Sequence, residues 1–221
     1  MSRVTTECAV AILAKAPVPG LAKTRLIPHL GAEGAAALQR WLLRRTLGTA
    51  LAAELGPVTL WCAPETDHPD FAACQGLGPV RRCRQPDVDL GGRMHAAVDE
   101  ASAAGALVIG TLVIGTDCPA LTPEVLREAA AALREHDAVV IPAEDGGYVL
   151  IGLKKPALAV FRDVDWSTDR VMAQTRRQLQ AAGLTWRELA PLWDVDRFED
   201  VERLLGLFPD VAAVLPDSGG A

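Results

Sequence analysis

A continuous apolar run, Leu107–Gly115 (LVIGTLVIG), breaks at Thr116-Asp117-Cys118-Pro119, and a helical pattern follows from Thr122. A run without alternation reads as a strand buried on both faces of a parallel sheet. Asp117 then sits at the carboxyl end of a central strand, where open α/β sheets bind ligands and a lone carboxylate commonly holds a divalent cation on a nucleotide's phosphates; the alternative is a cap for the loop or the next helix. Along the rest of the chain, strand and helix patterns alternate. Cys8–Lys15 reads as a first strand, Ala16–Leu30 with its three prolines as a loop, and Ala32–Leu55 as a helix stopped by Gly56-Pro57. Val58–Cys62 and Val80–Arg84 read as strands, with a short helix from Pro69 to Cys74 between them. Gly92–Ala104 is predicted helical, as is Pro123–Glu135 with Thr122 as its N-cap. Ala138–Ile141 and Tyr148–Leu153 read as strands. The second follows Asp145-Gly146-Gly147 through a tight turn and is therefore antiparallel. Thr168–Ala182 reads as a helix and Leu184–Leu189 as extended. Trp193–Asp196 ends a further strand before a helix over Phe198–Leu205.

This alternation predicts an α/β fold: a Rossmann-like, mostly parallel sheet flanked by helices. No linker marks a second domain, so residues 1–221 read as one domain with its core at about 8–205 and a loose tail over 206–221.

Composition narrows the function. The 221 residues carry a net charge of −6 with no basic tract, which argues against nucleic acid as a partner. The five cysteines are odd in number and lack C-x-x-C spacing, and the four histidines form no H-x-H pair. Free thiols in a reducing cytoplasm account for the cysteines better than disulfides or zinc. Ala9–Ala14 followed by Ala-Lys-Ala imitates a signal peptide, but Lys15 falls inside the would-be cleavage site, so a first strand is the better account. No stretch has the length of a membrane span.

Four segments carry candidate chemistry. In AKAPVPGLAKTRL, Lys15, Lys23 and Arg25 lie on a Gly/Pro loop at a strand end, as a polyphosphate site requires; the alternative is a solvated basic loop. In PDVDLGGRM, Gly91 and Gly92 offer N–H groups near a helix start and Arg93 could reach a phosphate, or Asp89 simply caps that helix. In PAEDGGYVLIGL, Asp145 is either a general base toward an acceptor hydroxyl or a turn residue. Asp194 and Asp196 alternate, so both can face one side. One could join Asp117 on a hard cation such as Mg²⁺, or Asp196 could serve as a helix cap. Asp165–Thr168 (DWST) reads as a cap with an anchoring aromatic.

Taken together, AKAPVPGLAKTRL, DLGGRM, GTDCPALT, PAEDGGYVLIGL, DWST and DVD resemble the bacterial radical-SAM/selenodomain-associated transferase family over about Cys8 to Leu205. Members of that family are called glycosyltransferases, and some are linked to arsenosugar biosynthesis. The family is similar to nucleotide-diphospho-sugar transferases of GT-A fold and, more distantly, to 2-phospho-lactate guanylyltransferases. The resemblance implies that Asp117 and Asp196 hold Mg²⁺ or Mn²⁺, and that Lys15, Lys23 and Arg25 line the nucleotide loop. The chain lacks the glycine-rich loop of sugar nucleotidyltransferases and has Asp117 where D-x-D is usual.

The expected activity is metal-dependent glycosyl transfer from a nucleotide-sugar donor to a small-molecule acceptor, by a cytoplasmic protein with a homodimer as its candidate assembly. Two alternatives stand beside it. One is nucleotidyl transfer from an NTP to a phosphorylated substrate. The other is nucleotide binding without turnover.

Overall fold

A computed structural model describes residues 7–104 and 108–215. Its elements are β1 (Glu7–Lys15), α1 (Ile27–Ala52), β2 (Val58–Ala63), α2 (Pro69–Ala73), β3 (Arg81–Arg84), α3 (Leu90–Ala103), β4 (Val108–Ile114), α4 (Pro123–Glu135), β5 (Ala138–Pro142), β6 (Tyr148–Leu153), α5 (Val171–Ala181), β7 (Trp186–Glu188) and α6 (Phe198–Leu207). The seven strands form one sheet in the order β3-β2-β1-β4-β6-β5-β7. β1 is parallel to β2 and β4, β2 to β3, and β5 to β7; β6 alone is antiparallel to its neighbours. The expected α/β fold is therefore present, with β4 in the interior between β1 and β6. Leu107, placed at the head of that strand by the sequence pattern, lies outside the described residues.

The period-2 geometry of strands divides the core between two faces. From β1, Val10, Ile12 and Ala14 pack with Leu43 and Leu47 of α1 and Leu126 and Leu133 of α4. Ala11 faces the other way, with Val113, toward Met94 and Val98 of α3 and Met172 and Leu179 of α5. Burial on both sides explains why the central strands carry apolar residues without alternation. α4 begins as expected: Pro123 opens it and the Thr122 side chain accepts from the Val125 N–H.

Four expectations need correction. The Ala16–Leu30 loop is shorter than predicted, because Thr24–Leu26 forms a 3₁₀ turn that runs into α1. Gly31 (φ 68°) leaves the helical path, so the regular helix does start at Ala32. α5 begins at Val171 rather than Thr168, because the Thr168 hydroxyl turns back to the Asp165 carbonyl. Trp193–Asp196 is not a strand: β7 stops at Glu188. Lastly, residues 206–215 are no loose tail. α6 extends to Leu207, Pro209–Ala213 forms a 3₁₀ turn, and Val211 is buried with Leu38, Leu42 and Leu204 in a small separate core. Residues 216–221 of the expected tail lie outside the described residues. Among the described residues no helix is long and apolar enough to cross a membrane.

Candidate active site

The site lies at the carboxyl end of β4. There Thr116 and Asp117 leave the sheet, and α1 fixes them from below. Gln39, a buried polar residue on the Ala/Leu face of α1, donates to the Thr116 hydroxyl at 3.0 Å and to the Lys15 carbonyl at 3.3 Å. One side chain thus ties the ends of β1 and β4 together. A buried amide needs such partners, and these are what the adjacent strand ends supply.

The Trp193–Asp196 segment arrives by its backbone. Leu192 N–H donates to the Pro142 carbonyl, and Glu144 N–H to the Leu192 carbonyl. Val195 N–H then donates to the Asp117 carbonyl at 2.8 Å. Although no strand is present, the extended alternation survives. Asp194 and Asp196 line the same space as Asp117, while Trp193 and Val195 are buried.

Lys15, Lys23 and Arg25 all line that space. Two of the three already hold carboxylates. Lys23 has a left-handed backbone (φ 47°), and its ammonium lies 2.7 Å from Asp117 Oδ1 and donates to the Val195 carbonyl. Its side chain is 8% exposed, against 49% for Asp117, so the pair is half-sheltered from solvent. Arg25 is paired with Asp196 at the surface. Lys15 is exposed at the end of β1.

Asp194 is placed differently from Asp196. It has no cation partner among the described residues. Burial pushes its carboxyl up to about 6, and the negative charges of Asp145 and Asp117 push the same way. Among the described residues no three His, Cys, Asp or Glu side chains stand close enough to hold an ion alone. Cys118 beside Asp117 is buried, and its thiol is raised to about 12, which leaves it inert.

The Gly91-Gly92-Arg93 group does other work. The Gly92 N–H is taken by the Asp89 side chain at 2.7 Å, the helix cap that was the alternative reading. Arg93 donates to the Val88 carbonyl and to Gln85 Oε1, and so braces its own loop. A Cβ at Gly91 would come within 2.7 Å of Trp166 Cζ2 and 2.9 Å of Phe161 Cβ. Glycine there lets α3 approach the aromatic rings, and none of the three lines the space at Asp117.

Two cavities meet at Asp117. The first, about 430 Å³, has the three loop cations on one side and apolar walls including Leu13, Leu90 and Met94. The second, about 970 Å³, shares Asp117, Asp194, Asp196, Arg25 and Tyr148 with the first and continues to Asp145 and to Trp166–Asp169. The sequence pattern treated DWST as an anchor only. Trp166 is half-buried, edge-on to Tyr148 with ring centroids 6.5 Å apart, and it also walls the second cavity. Gln39 and the 166–169 segment are the residues the pattern missed. A lone glutamine on a buried helix face was the available signal for the first.

Comparison with known proteins agrees with this architecture. The pattern of the family described as "Uncharacterized protein conserved in bacteria (DUF2064)" matches residues 46–168. Among solved structures, the "putative nucleotide-diphospho-sugar transferase" of Desulfovibrio desulfuricans G20 is 27% identical, over 95% of this chain and 96% of that one, with TM-score 0.81. The 4-diphosphocytidyl-2C-methyl-D-erythritol synthase of Anaerococcus prevotii is 12% identical over 95% and 100%, TM-score 0.60. Rv0371c of Mycobacterium tuberculosis, in complex with manganese, is 16% identical over 90% and 98%, TM-score 0.52. The last two show the fold alone. Among curated proteins none matches the chain.

Proposed function

The chain belongs to the DUF2064 family, and we propose that it is a metal-dependent transferase that moves a glycosyl group from a nucleotide-sugar donor to a small acceptor. The observation that carries this reading is the meeting of two unlike cavities at Asp117. The first has the size of a ligand pocket, apolar walls for a nucleobase and sugar, and three cations for a diphosphate. The likeness to the Desulfovibrio protein supports the donor class.

Asp117 would hold the ion with Asp194, whose half-buried carboxyl is crowded by the negative charges of Asp145 and Asp117 and would gain most from a cation. Asp196, implied as the second ligand by resemblance, is engaged by Arg25. Mg²⁺ or Mn²⁺, when bound, would neutralise charge on the departing diphosphate. Lys23 and Arg25 would pass from their carboxylates to phosphate oxygens as donor and ion enter. Lys15, exposed at the strand end, is free to meet the phosphates directly. The acceptor's hydroxyl oxygen would bond to the anomeric carbon as that carbon's bond to the diphosphate breaks. Asp145, exposed on the acceptor side, would take the hydroxyl proton.

Nucleotidyl transfer to a phosphorylated substrate needs cations in the second cavity as well. That cavity is lined by seven carboxylates and two guanidinium groups, so glycosyl transfer is the better account.

The test is thermal melting with a panel of NTPs and nucleotide sugars, with and without Mg²⁺ or Mn²⁺, followed by product analysis with the donor that stabilises most. Stabilisation by a nucleotide sugar only when the metal is present, with release of a nucleoside diphosphate, is the expected result. Pyrophosphate release from an NTP would establish the nucleotidyl alternative instead, and tight binding without turnover would establish the non-catalytic one.

A further inference from the structure

We infer that the second cavity takes an uncharged, polyhydroxylated ring as its ligand and turns away phosphorylated and carboxylated compounds. Calling that ligand the acceptor rests on the proposed transfer; the charge class of the cavity rests on its walls. The first wall is aromatic. Trp166 and Tyr148 meet edge to face and line the cavity between them, which gives the apolar face of a ring a surface to lie on. The second is a set of hydrogen-bond acceptors. Asp145 and Asp169 are exposed at the cavity, and among the described residues neither has a cation partner. Asp145 Oδ1 accepts from the Gly147 N–H at 2.9 Å, the turn contact, which leaves its Oδ2 and the Asp169 carboxylate to accept from a ligand rich in O–H donors. The same pair repels a phosphate.

Other lining charges do not reverse this. Glu144 is paired with Arg203 and Arg25 with Asp196, and Asp200 accepts from the N–H groups of Asp196 and Arg197. Arg197 is the one lining cation without a carboxylate partner among the described residues.

The two walls are fixed to each other, as a binding surface requires. Gly146 (φ 94°) lies so close to the 166–169 segment that a Cβ there would come within 2.4 Å of the Asp169 carbonyl. The Met172 N–H donates to the Gly146 carbonyl at 2.9 Å. The turn carrying Asp145 and the segment carrying Trp166 and Asp169 therefore form one rigid unit. Ser167 within it has a left-handed backbone (φ 65°).

The experiment uses the full chain without nucleotide or metal and follows the indole ¹H–¹⁵N signal of Trp166, assigned by its loss in Trp166→Phe. The probes are the methyl glycosides of glucose, mannose and galactose, set against glucose 6-phosphate, mannose 6-phosphate and glucuronate. At least one neutral glycoside should shift the signal, and every anion should bind about tenfold more weakly or worse. In the Asp145→Asn/Asp169→Asn double variant, with folding checked by melting, that gap should shrink to about threefold or less. An anion that binds as well as the best glycoside overturns the inference. So does a Trp166 signal that no neutral glycoside moves, or a gap the double variant leaves intact. Glycoside binding in a protein that binds no nucleotide would keep the charge class and end the transferase reading. Nucleotide binding without a glycoside response would do the reverse.

Discussion

The cavities on either side of Asp117 solve opposite electrostatic problems with the same few residues. In the first cavity three cations meet three carboxylates, and two ion pairs, Lys23 with Asp117 and Arg25 with Asp196, neutralise most of the charge before any ligand arrives. In the second cavity the carboxylates outnumber the cations, and Asp145, Asp169 and Asp194 form no ion pair among the described residues. In the first cavity two of the three cations are held by carboxylates and lie within reach of an incoming anion. The second cavity shares the Arg25–Asp196 pair, and its excess of carboxylates acts directly on whatever enters. The lysine makes the contrast sharper, because it is held in a left-handed backbone conformation with its ammonium largely buried. Such strain is retained where surrounding structure enforces it, and active sites are where it gathers.

The largest effect expected from a single change falls on the wall of the second cavity. Gly146→Ala puts a Cβ into the Asp169 carbonyl at a backbone angle that L side chains rarely adopt. It should cost about 3 kcal/mol in urea denaturation, as overpacking combined with a positive φ does. If the two sides are independent, nucleotide affinity in the variant will stay within about threefold of the parent under conditions where it remains folded. A larger loss would mean that the 166–169 segment also shapes the first cavity.

Asp117→Asn acts at the joint between the sides. It should reduce metal-dependent nucleotide binding by roughly a hundredfold, measured by calorimetry with Mn²⁺. The asparagine oxygen still accepts from Lys23, so melting should fall only a little. Full metal-dependent binding in this variant would remove Asp117 from the ion site.

Lys23→Ala and Arg25→Ala should each weaken nucleotide binding by about 1–3 kcal/mol. Lys23→Ala carries a second expectation of opposite sign. With the ammonium gone from Asp117, Mn²⁺ alone should bind more tightly than to the parent, as read by electron paramagnetic resonance of free Mn²⁺. If ion affinity falls together with nucleotide affinity, Lys23 does not compete for the ion site.

The smallest effect is a gain. The Asp194 carboxyl is raised to about 6, mainly by burial, so the folded chain keeps this proton to higher pH than the unfolded chain does. Ionising it therefore costs stability as pH rises from about 4 to about 6, and the full cost stands above that. Asp194→Asn should stabilise the metal-free protein by about 1 kcal/mol at pH 7, after allowance for solvent screening. The gain should vanish near pH 4, and Mn²⁺ binding with nucleotide should weaken. An equal gain at both pH values would show that charge is not its source.

Local pattern alone placed most of the scaffold. The unbroken apolar run of β4, the Thr122-Pro123 cap of α4 and the tight turn into antiparallel β6 each follow from short-range rules, and each is present. The position of Asp117 at a strand end came with them, because a strand's end is visible where its apolar residues stop. Partnership was not visible in this way. Whether Asp194 or Asp196 stands free depends on Arg25, 171 residues from Asp196 in sequence, and nothing in the alternation of D-V-D distinguishes the two. The role of Gly92 likewise depended on whether its N–H was already taken, and Asp89 takes it. The part played by Trp166 needed the turn at Gly146 to bring a second wall against it. Periodicity and capping are set by neighbours along the chain, so they can be read from the order of residues. Ion pairs, cavities and the free or occupied state of a carboxylate are set by neighbours across space, and these exist only once the sheet has brought the strand ends together.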